Sequence, residues 1–547
     1  VTDIADETAK EEIAAFERQR SFRANFDSMF EEIARYVLPR AQEFISKATP
    51  GTRRDQYVFD STAQLALPRF AAAMESLLVP SNQKWHGLAP ADPSLAEDHE
   101  TAVYLEAKRD LMFRVRYGRT SNFAGQVGEC FMSLGAFGTM AMFIEDGLSK
   151  GPLYQAIPLS QLFIEENAQG MVDTVRRKYT LTVRQAIQKF GENNLPEDIK
   201  KFKDSDPSKE FEFLHVVRPN GERKTDERGA RGMKMAAFDI CTTLRCTLRR
   251  GGYRVMPYAI SRYTTQAGEI YGRSVAWDAY ADIKTLNEQA KTALRYGQRM
   301  LDPPWITADV DALSPFSMRP GAINAGYMNE RGNVLAQSLT PQGDPRSSIQ
   351  IGDQLRGSVN GSFLVTLFQL FVETPRMTAT EALLRAQEKG ALLAPTAGRQ
   401  RAEFLDPLIT RELDIFQNGG MFADMPDALR SSGGISDEIA YDSPMTRLQM
   451  AEEGVGIQRT LETAAQMAQY DEGESLRIID KPWTLRRMAK INGAPARMLV
   501  SQEVLDAEDA QAAREEQLQR LAAIAPSIAD TAKTAVETAN MAASAPF

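Results

Sequence analysis

The sequence predicts a mainly α-helical protein with a smaller antiparallel β region, an α+β chain. Three observations carry that prediction. Apolar residues recur at three- and four-residue spacing before residue 40, again after Gly272, and over much of the last third. Between Leu134 and Thr264 the texture shifts to alternation and β-branched residues, broken by Gly-Gly and Asn-Gly pairs. At 547 residues, 43% hydrophobic and 25% charged, the composition is that of a globular chain of roughly three to four domains.

Phe26, Met29, Phe30, Ile33, Tyr36 and Val37 form one apolar stripe, and Pro39 ends it because proline lacks the amide a helix interior needs. FDSTAQLALPRFAAAMESLLVPSNQKWHGL, Phe59 to Leu88, reads as a second helix that stops before Pro80 and turns into Trp85. A third is expected between about Leu95 and Arg116. The β region follows, in TMAMFIEDG, YQAIPLSQLFIEENAQGMVDTVRRKYTLT and KMAAFDICTTLRCTLRRGGYRVMPYAISRYT. The two glycines of LGAFGTM mark a turn from helix to strand.

The stretch DIKTLNEQAKTALRYGQRMLDPPWI, Asp282 to Ile306, is an amphipathic helix stopped by two prolines. At about 100° per residue, Lys284, Glu288, Lys291, Arg295, Arg299 and Asp302 share one narrow sector. Ile283, Leu286, Ala290, Ala293, Leu294, Gly297, Met300 and Leu301 gather elsewhere on its circumference. Residues 303–347 are rich in proline, glycine and asparagine. They are too irregular for a helix, yet Trp305, Phe316 and Tyr327 supply packing anchors for an ordered module. A returning helix then carries Ile351, Leu355, Val359, Phe363, Leu367, Leu370 and Phe371. Gly352, Gly357 and Gly361 weaken it by roughly 1 kcal/mol each relative to alanine, a cost close backbone packing is expected to offset. Pro375 breaks the chain before a Thr378–Glu381 capping box. The box opens a long helix toward Phe416, bent at Pro395 and Pro407. SSGG, Ser431–Gly434, reads as a hinge, and the remainder is mostly helical.

The chemistry that is missing narrows the function. No stretch approaches the ~20 apolar residues that span a bilayer, and the N-terminus has no apolar signal core, so no membrane partner is expected. Three cysteines in so long a chain indicate folding in a reducing cytoplasm. Cys241 and Cys246 lack the spacing of a redox motif, and on one strand they would point to opposite faces. His86, His99 and His215 have no metal-ligand spacing. There is no phosphate loop of the GxxxxGK[ST] type, no GxSxG and no HExxH, so the expectation is a protein without a catalytic site, metal or cofactor. A net charge of −9 disfavours a tight general DNA binder, but it suits a wall past which a polyanion slides. The basic stripe of Lys284, Lys291, Arg295 and Arg299 is open to two readings, a solvated helix face or a nucleic-acid contact.

Three stretches in order resemble the portal (head-to-tail connecting) proteins of short-tailed, podovirus-type bacteriophages. They are FDSTAQLALPRFAAAMESLLVPSNQKWHGL, GEIYGRSVAWDAYADIKTLNEQAKTALRYGQRMLDPPW and ETPRMTATEALLRAQEKGALLAPTAGRQRAEFLDPLITREL. The resemblance covers roughly residues 10 to 420; the last hundred match it only in being helical.

It implies a dodecameric ring at a capsid vertex, assembled in the host cytoplasm and carried in the virion. Double-stranded DNA would enter through it at packaging and leave at ejection. Its implied partners are terminase, tail adaptor proteins, capsid and scaffolding proteins. The implied parts are a wing from residues 1–271 and 378–442, stem helices at 272–302 and 348–370, and a clip at 303–347. A tunnel loop at 371–377 and a helical crown at 443–547 complete the arrangement. Lys284, Lys291, Arg295 and Arg299 would face the DNA channel. Trp305, Phe316 and Tyr327 would anchor the clip, and Glu373, Thr374, Pro375, Arg376 and Met377 would form the constriction. Trp277 is expected to pack between subunits. Two other classes stay open at this stage: a non-portal DNA-processing enzyme, and an adaptor ring that never touches DNA.

Overall fold

The computed structural model describes residues 2–45, 49, 51–96, 98–147, 151–224, 229–307, 317, 319, 321–323, 327–329, 331–339, 345–365, 395–441, 444–468, 477–501, 504–508 and 510–517. Its elements begin with α1 (Thr2–Val37), α2 (Thr62–Leu78), β1 (His86–Pro90), α3 (His99–Arg116) and α4 (Phe123–Phe137). Then come β2 (Thr139–Asp146), β3 (Pro152–Ala156), β4 (Leu162–Glu166), β5 (Val172–Thr182), α5 (Val183–Phe190), α6 (Glu197–Lys200), β6 (Glu210–Pro219), β7 (Met235–Cys241), β8 (Cys246–Tyr253) and β9 (Tyr258–Arg262). After them lie α7 (Val275–Asp278), α8 (Tyr280–Leu301), β10 (Trp305–Thr307), β11 (Ala336–Ser338) and α9 (Pro345–Ser362). The chain packs as two units, residues 1–83 with 114–421, and residues 84–113 with 422–547.

In the first unit the predicted stripe of α1 is the buried one: Phe30, Ile33 and Val37 are at most 1% exposed. Gly135 lets α2 and α4 meet, since a Cβ there would stand 2.7 Å from both Leu67 and Phe70 side-chain atoms. Among the described residues all β-pairing is antiparallel. A three-stranded sheet runs β3-β2-β9, and a five-stranded meander runs β4 to β8 in chain order. Helix outweighs strand, so the chain is α+β. One charge cluster sits wholly inside. Arg116 donates to Glu412 at 3.0 and 2.5 Å, Tyr154 donates to the same carboxylate at 2.5 Å, and neither charged side chain touches solvent. Removing one partner would strand the other, a loss of about 3–5 kcal/mol.

LGAFGTM is the helix-to-strand turn expected, and it does more. Gly138 closes α4 with φ 76°, and Gly272 lies directly against its backbone, where a Cβ on either glycine would collide. Ser274 donates to the Ala136 carbonyl at 2.8 Å, and the Gly272 amide to Thr139 at 2.9 Å. This corner anchors the root of α7 and α8. The long helix that reaches Phe416 takes a π-helical turn at Arg401–Leu405 just before Pro407, with the Asp406 amide bonded to the Arg401 carbonyl. The wider turn accommodates the missing proline amide.

The two cysteines do not lie on one strand. Thr242–Arg245 is a turn, closed by Arg245 at φ 52°, and Cys241 and Cys246 are paired residues across it. Paired residues of an antiparallel ladder share a face, so the expectation of opposite faces fails because the turn resets the alternation.

In the second unit β1 pairs with the strand Ile435–Tyr441. SSGG is therefore no hinge. Gly433 and Gly434, at φ 99° and 86°, carry the chain from the helix Asp427–Ser431 into that strand. The Gly434 amide donates to Leu429, and its carbonyl accepts from Ala91. His86 stacks on Phe113 at 4.7 Å beside Trp85. The helices Pro444–Met467 and Lys481–Ile491 are joined by Arg487 and Glu453, paired at 2.7 Å.

Candidate nucleic-acid interface

The amphipathic helix predicted from Asp282 is α8, and the returning helix α9 lies against it. Glutamine 289 donates to Ser348, and Ser358 donates to Asp282 at 2.6 Å. The segment before α2 clamps the pair. Asn287, 3% exposed, accepts from the Phe59 amide at 2.7 Å and donates to the Tyr57 carbonyl at 3.0 Å. Arg356 of α9 reaches Asp60 at 3.0 Å and Asp353 at 2.8 Å. Burial pushes the Asp60 carboxyl up, but bonds from Thr62 and Arg356 outweigh it and hold the group below its usual range. Neither Asn287 nor Asp60 emerges as a site residue from the sequence. The available signal was an amide among the apolar positions of an amphipathic helix.

The four stripe residues separate into two pairs. Lys284 sits 3.4 Å from Glu32 of α1, beside the ring of Tyr280, whose hydroxyl also donates to Glu32. That hydroxyl, with Lys284 adding to it, holds the Glu32 carboxyl below its usual range. Lys291 pairs with Glu288 at 3.3 Å and lies over Phe59. Arg295 and Arg299, one turn apart near the end of α8, are exposed and have no ion-pair partner among the described residues. Half-exposed pairs such as Lys284–Glu32 contribute little to stability, about 0–1 kcal/mol, so competing phosphates could draw these lysines away.

The apolar stripe of α8 is covered over only half its length. Ile283 and Leu286 are buried at 5% and 3% exposure, whereas Leu294, Met300 and Leu301 stand out at 56%, 46% and 90%. On α9 the pattern repeats: Val359, and Phe363 just past the helix end, are buried, and Ile349 and Ile351 are exposed. The close backbone packing expected at the α9 glycines is absent: at Gly352 only the side chains of Gln289 and Arg356 come within 4 Å of a would-be Cβ, at ordinary contact distance, and at Gly357 and Gly361 no atom does. Trp277 packs within its own chain, against Phe26 and Phe30 of α1 and under Arg273.

Beyond α8, Trp305 begins β10, which pairs with β11 through Trp305 and Ser338, and the indole is 42% exposed. Tyr327 is half-buried and accepts the Leu335 amide. Phe316 and the segment Glu373, Thr374, Pro375, Arg376 and Met377 lie outside the described residues. Among the described residues no group of side chains could hold a metal, and no helix is long and apolar enough to cross a membrane.

A helical scaffold carrying a basic helix face, with its apolar side half uncovered, fits a structural protein of a larger particle. Comparison with known proteins makes the class definite: residues 9–499 match the family described as bacteriophage head to tail connecting protein, and the chain belongs to that family. Its members are structural components of the virion at the head–tail connection. The portal protein of Salmonella phage epsilon15 is 24% identical over 545 residues, covering 97% of this chain and 96% of its own. The probable portal protein of Bordetella phage BPP-1 is 24% identical over 449 residues, covering 79% of this chain and 78% of its own.

Proposed function

We propose that this chain is a portal subunit: it assembles into a homo-oligomeric ring, of twelve copies, at one capsid vertex and encloses a channel for double-stranded DNA. Family membership and two relatives named as portal proteins support the reading. The observation that carries the ring is the apolar stripe of α8, which runs past the cover its own chain supplies and leaves Leu294, Met300 and Leu301 for a neighbouring copy. In this reading α8 and α9 form the stem, with Arg295 and Arg299 turned to passing phosphates and Lys284 and Lys291 as weaker contacts.

Residues 303–347 form the clip, which receives terminase and tail adaptor proteins. Residues 371–377 form the tunnel loop at the constriction, where Glu373 beside Arg376 lets neither sign dominate. The wing comprises 1–271 and 378–442, and 443–547 form the crown. Contact with DNA is loose by design, because each phosphate–cation pair adds affinity that a translocating duplex must shed.

Negative-stain imaging together with native mass measurement tests the assembly. The expected result is a toothed ring with a central hole; a stable 60.8 kDa monomer at high concentration would overturn it.

A further inference from the structure

We propose that Cys241 and Cys246 are a dithiol–disulfide site, a covalent staple across the β7–β8 turn that closes when the folded chain meets a low-molecular-weight disulfide. The two residues are direct partners in the ladder. Paired antiparallel residues stand about 4.5 or 5.5 Å apart at Cα, depending on the type of pair. Both values lie within the roughly 4.4–6.8 Å that a disulfide spans. The thiols already share a hydrogen bond, and the Leu244 and Thr243 amides of the turn point at the Cys241 sulfur. The Cys246 bond and these two donors stabilise a thiolate at Cys241.

Their exposures differ in a useful way. Cys241 is fully buried, in a core cluster with Tyr179, Phe211 and Phe213, whereas Cys246 is only half-buried. Cys246 is therefore the more accessible of the two to an outside reagent. Its thiolate attacks one sulfur of the small disulfide, forming a mixed disulfide and releasing one small thiolate. Cys241 then attacks the Cys246 sulfur of that mixed disulfide, the second small thiolate leaves, and the two protein thiol protons pass to solvent. Two cysteines are oxidised and one small disulfide is reduced.

The staple also has a structural target. Between Asp239 and Ile240 the β7–β8 register shifts, Asp239 facing Arg249 and Ile240 facing Thr247. β8 is an edge strand of its sheet. A bond on the turn side of that bulge pins the register of this edge strand. A chain folded in a reducing cytoplasm would carry the open dithiol, and the same chain outside the cell would carry the closed one.

The third cysteine is the internal control. Cys130 is 1% exposed, its thiol donates to the Ala141 carbonyl, and burial pushes its pKa far up, so it stays reduced. The test equilibrates the reduced full-length protein with oxidised glutathione, then denatures it in an alkylating agent and weighs the intact chain and its peptides. Two of the three thiols should be lost, with one peptide pair linked through Cys241 and Cys246. In Cys246→Ser both Cys130 and Cys241 should remain alkylatable. Three free thiols in the unaltered protein, a lasting glutathione adduct on Cys246, or loss of Cys241 in the serine variant would overturn the proposal.

Discussion

Replacing Leu294 and Leu301 of α8 together by serine tests the subunit contact most directly. Both side chains lie on the stripe that continues from buried Ile283 and Leu286, and in the single chain they are 56% and 90% exposed. Full burial of a leucine stabilises by about 1.5–3 kcal/mol, so covering the exposed fractions yields roughly 2–4 kcal/mol for the two. Serine removes that gain without disturbing the chain's own core, because neither leucine contributes much to it. At about 1.4 kcal/mol per tenfold, each interface should weaken roughly 30- to 1,000-fold. Analytical ultracentrifugation across a dilution series reads this as a shift of ring-to-monomer dissociation to higher concentration. Circular dichroism should show unchanged secondary structure and a melting midpoint close to that of the parent monomer. Rings that persist at the same dilution as the unaltered protein would refute the argument, since the stripe would then lie outside the interface.

Neutralising Arg295 and Arg299 as glutamines should leave rings intact but lower the retention of packaged DNA and flatten its dependence on salt. Lys284 and Lys291 changed in the same way should have the smaller effect, because each already has a carboxylate beside it. Equal retention by the arginine variant and its parent would return the stripe to a solvated face. A third expectation concerns acid. His215 is buried against Tyr258, 2.7 Å from its hydroxyl, and burial, reinforced by Lys189, Arg177 and Arg249, drives its pKa down to about 3. The unfolded chain takes up that proton near pH 6.5 and the folded one only near 3, so stability falls as pH drops through this window, by up to about 1.4 kcal/mol per pH unit. His215→Gln should remove that slope in urea denaturation at pH 6 and pH 4.5; an unchanged slope would mean that other groups carry it.

Periodicity and turn chemistry determined a good deal by themselves. The stripe of α1, the stop before Pro39, the Gly138 turn and the amphipathic α8 all depend on neighbours within a few residues, and a linear sequence displays those directly. The candidate stripe was legible for the same reason, since four basic residues at helical spacing must share a face. What that face meets was not. Only packing sets Glu32 beside Lys284, leaves Arg295 and Arg299 open, and brings Asn287 under Tyr57 and Phe59, because these partners lie far off in the chain. The cysteines make the point from the opposite side. Five positions apart they look like opposite faces of one strand, and a four-residue turn makes them partners. SSGG likewise reads as a hinge until a distant strand, His86–Pro90, binds the residues that follow it. A hydrophobic pattern states which side of a helix avoids water, but the cover is a matter of tertiary contacts. In α8 Leu286 is the last apolar stripe residue to be buried, although the pattern runs on to Leu301.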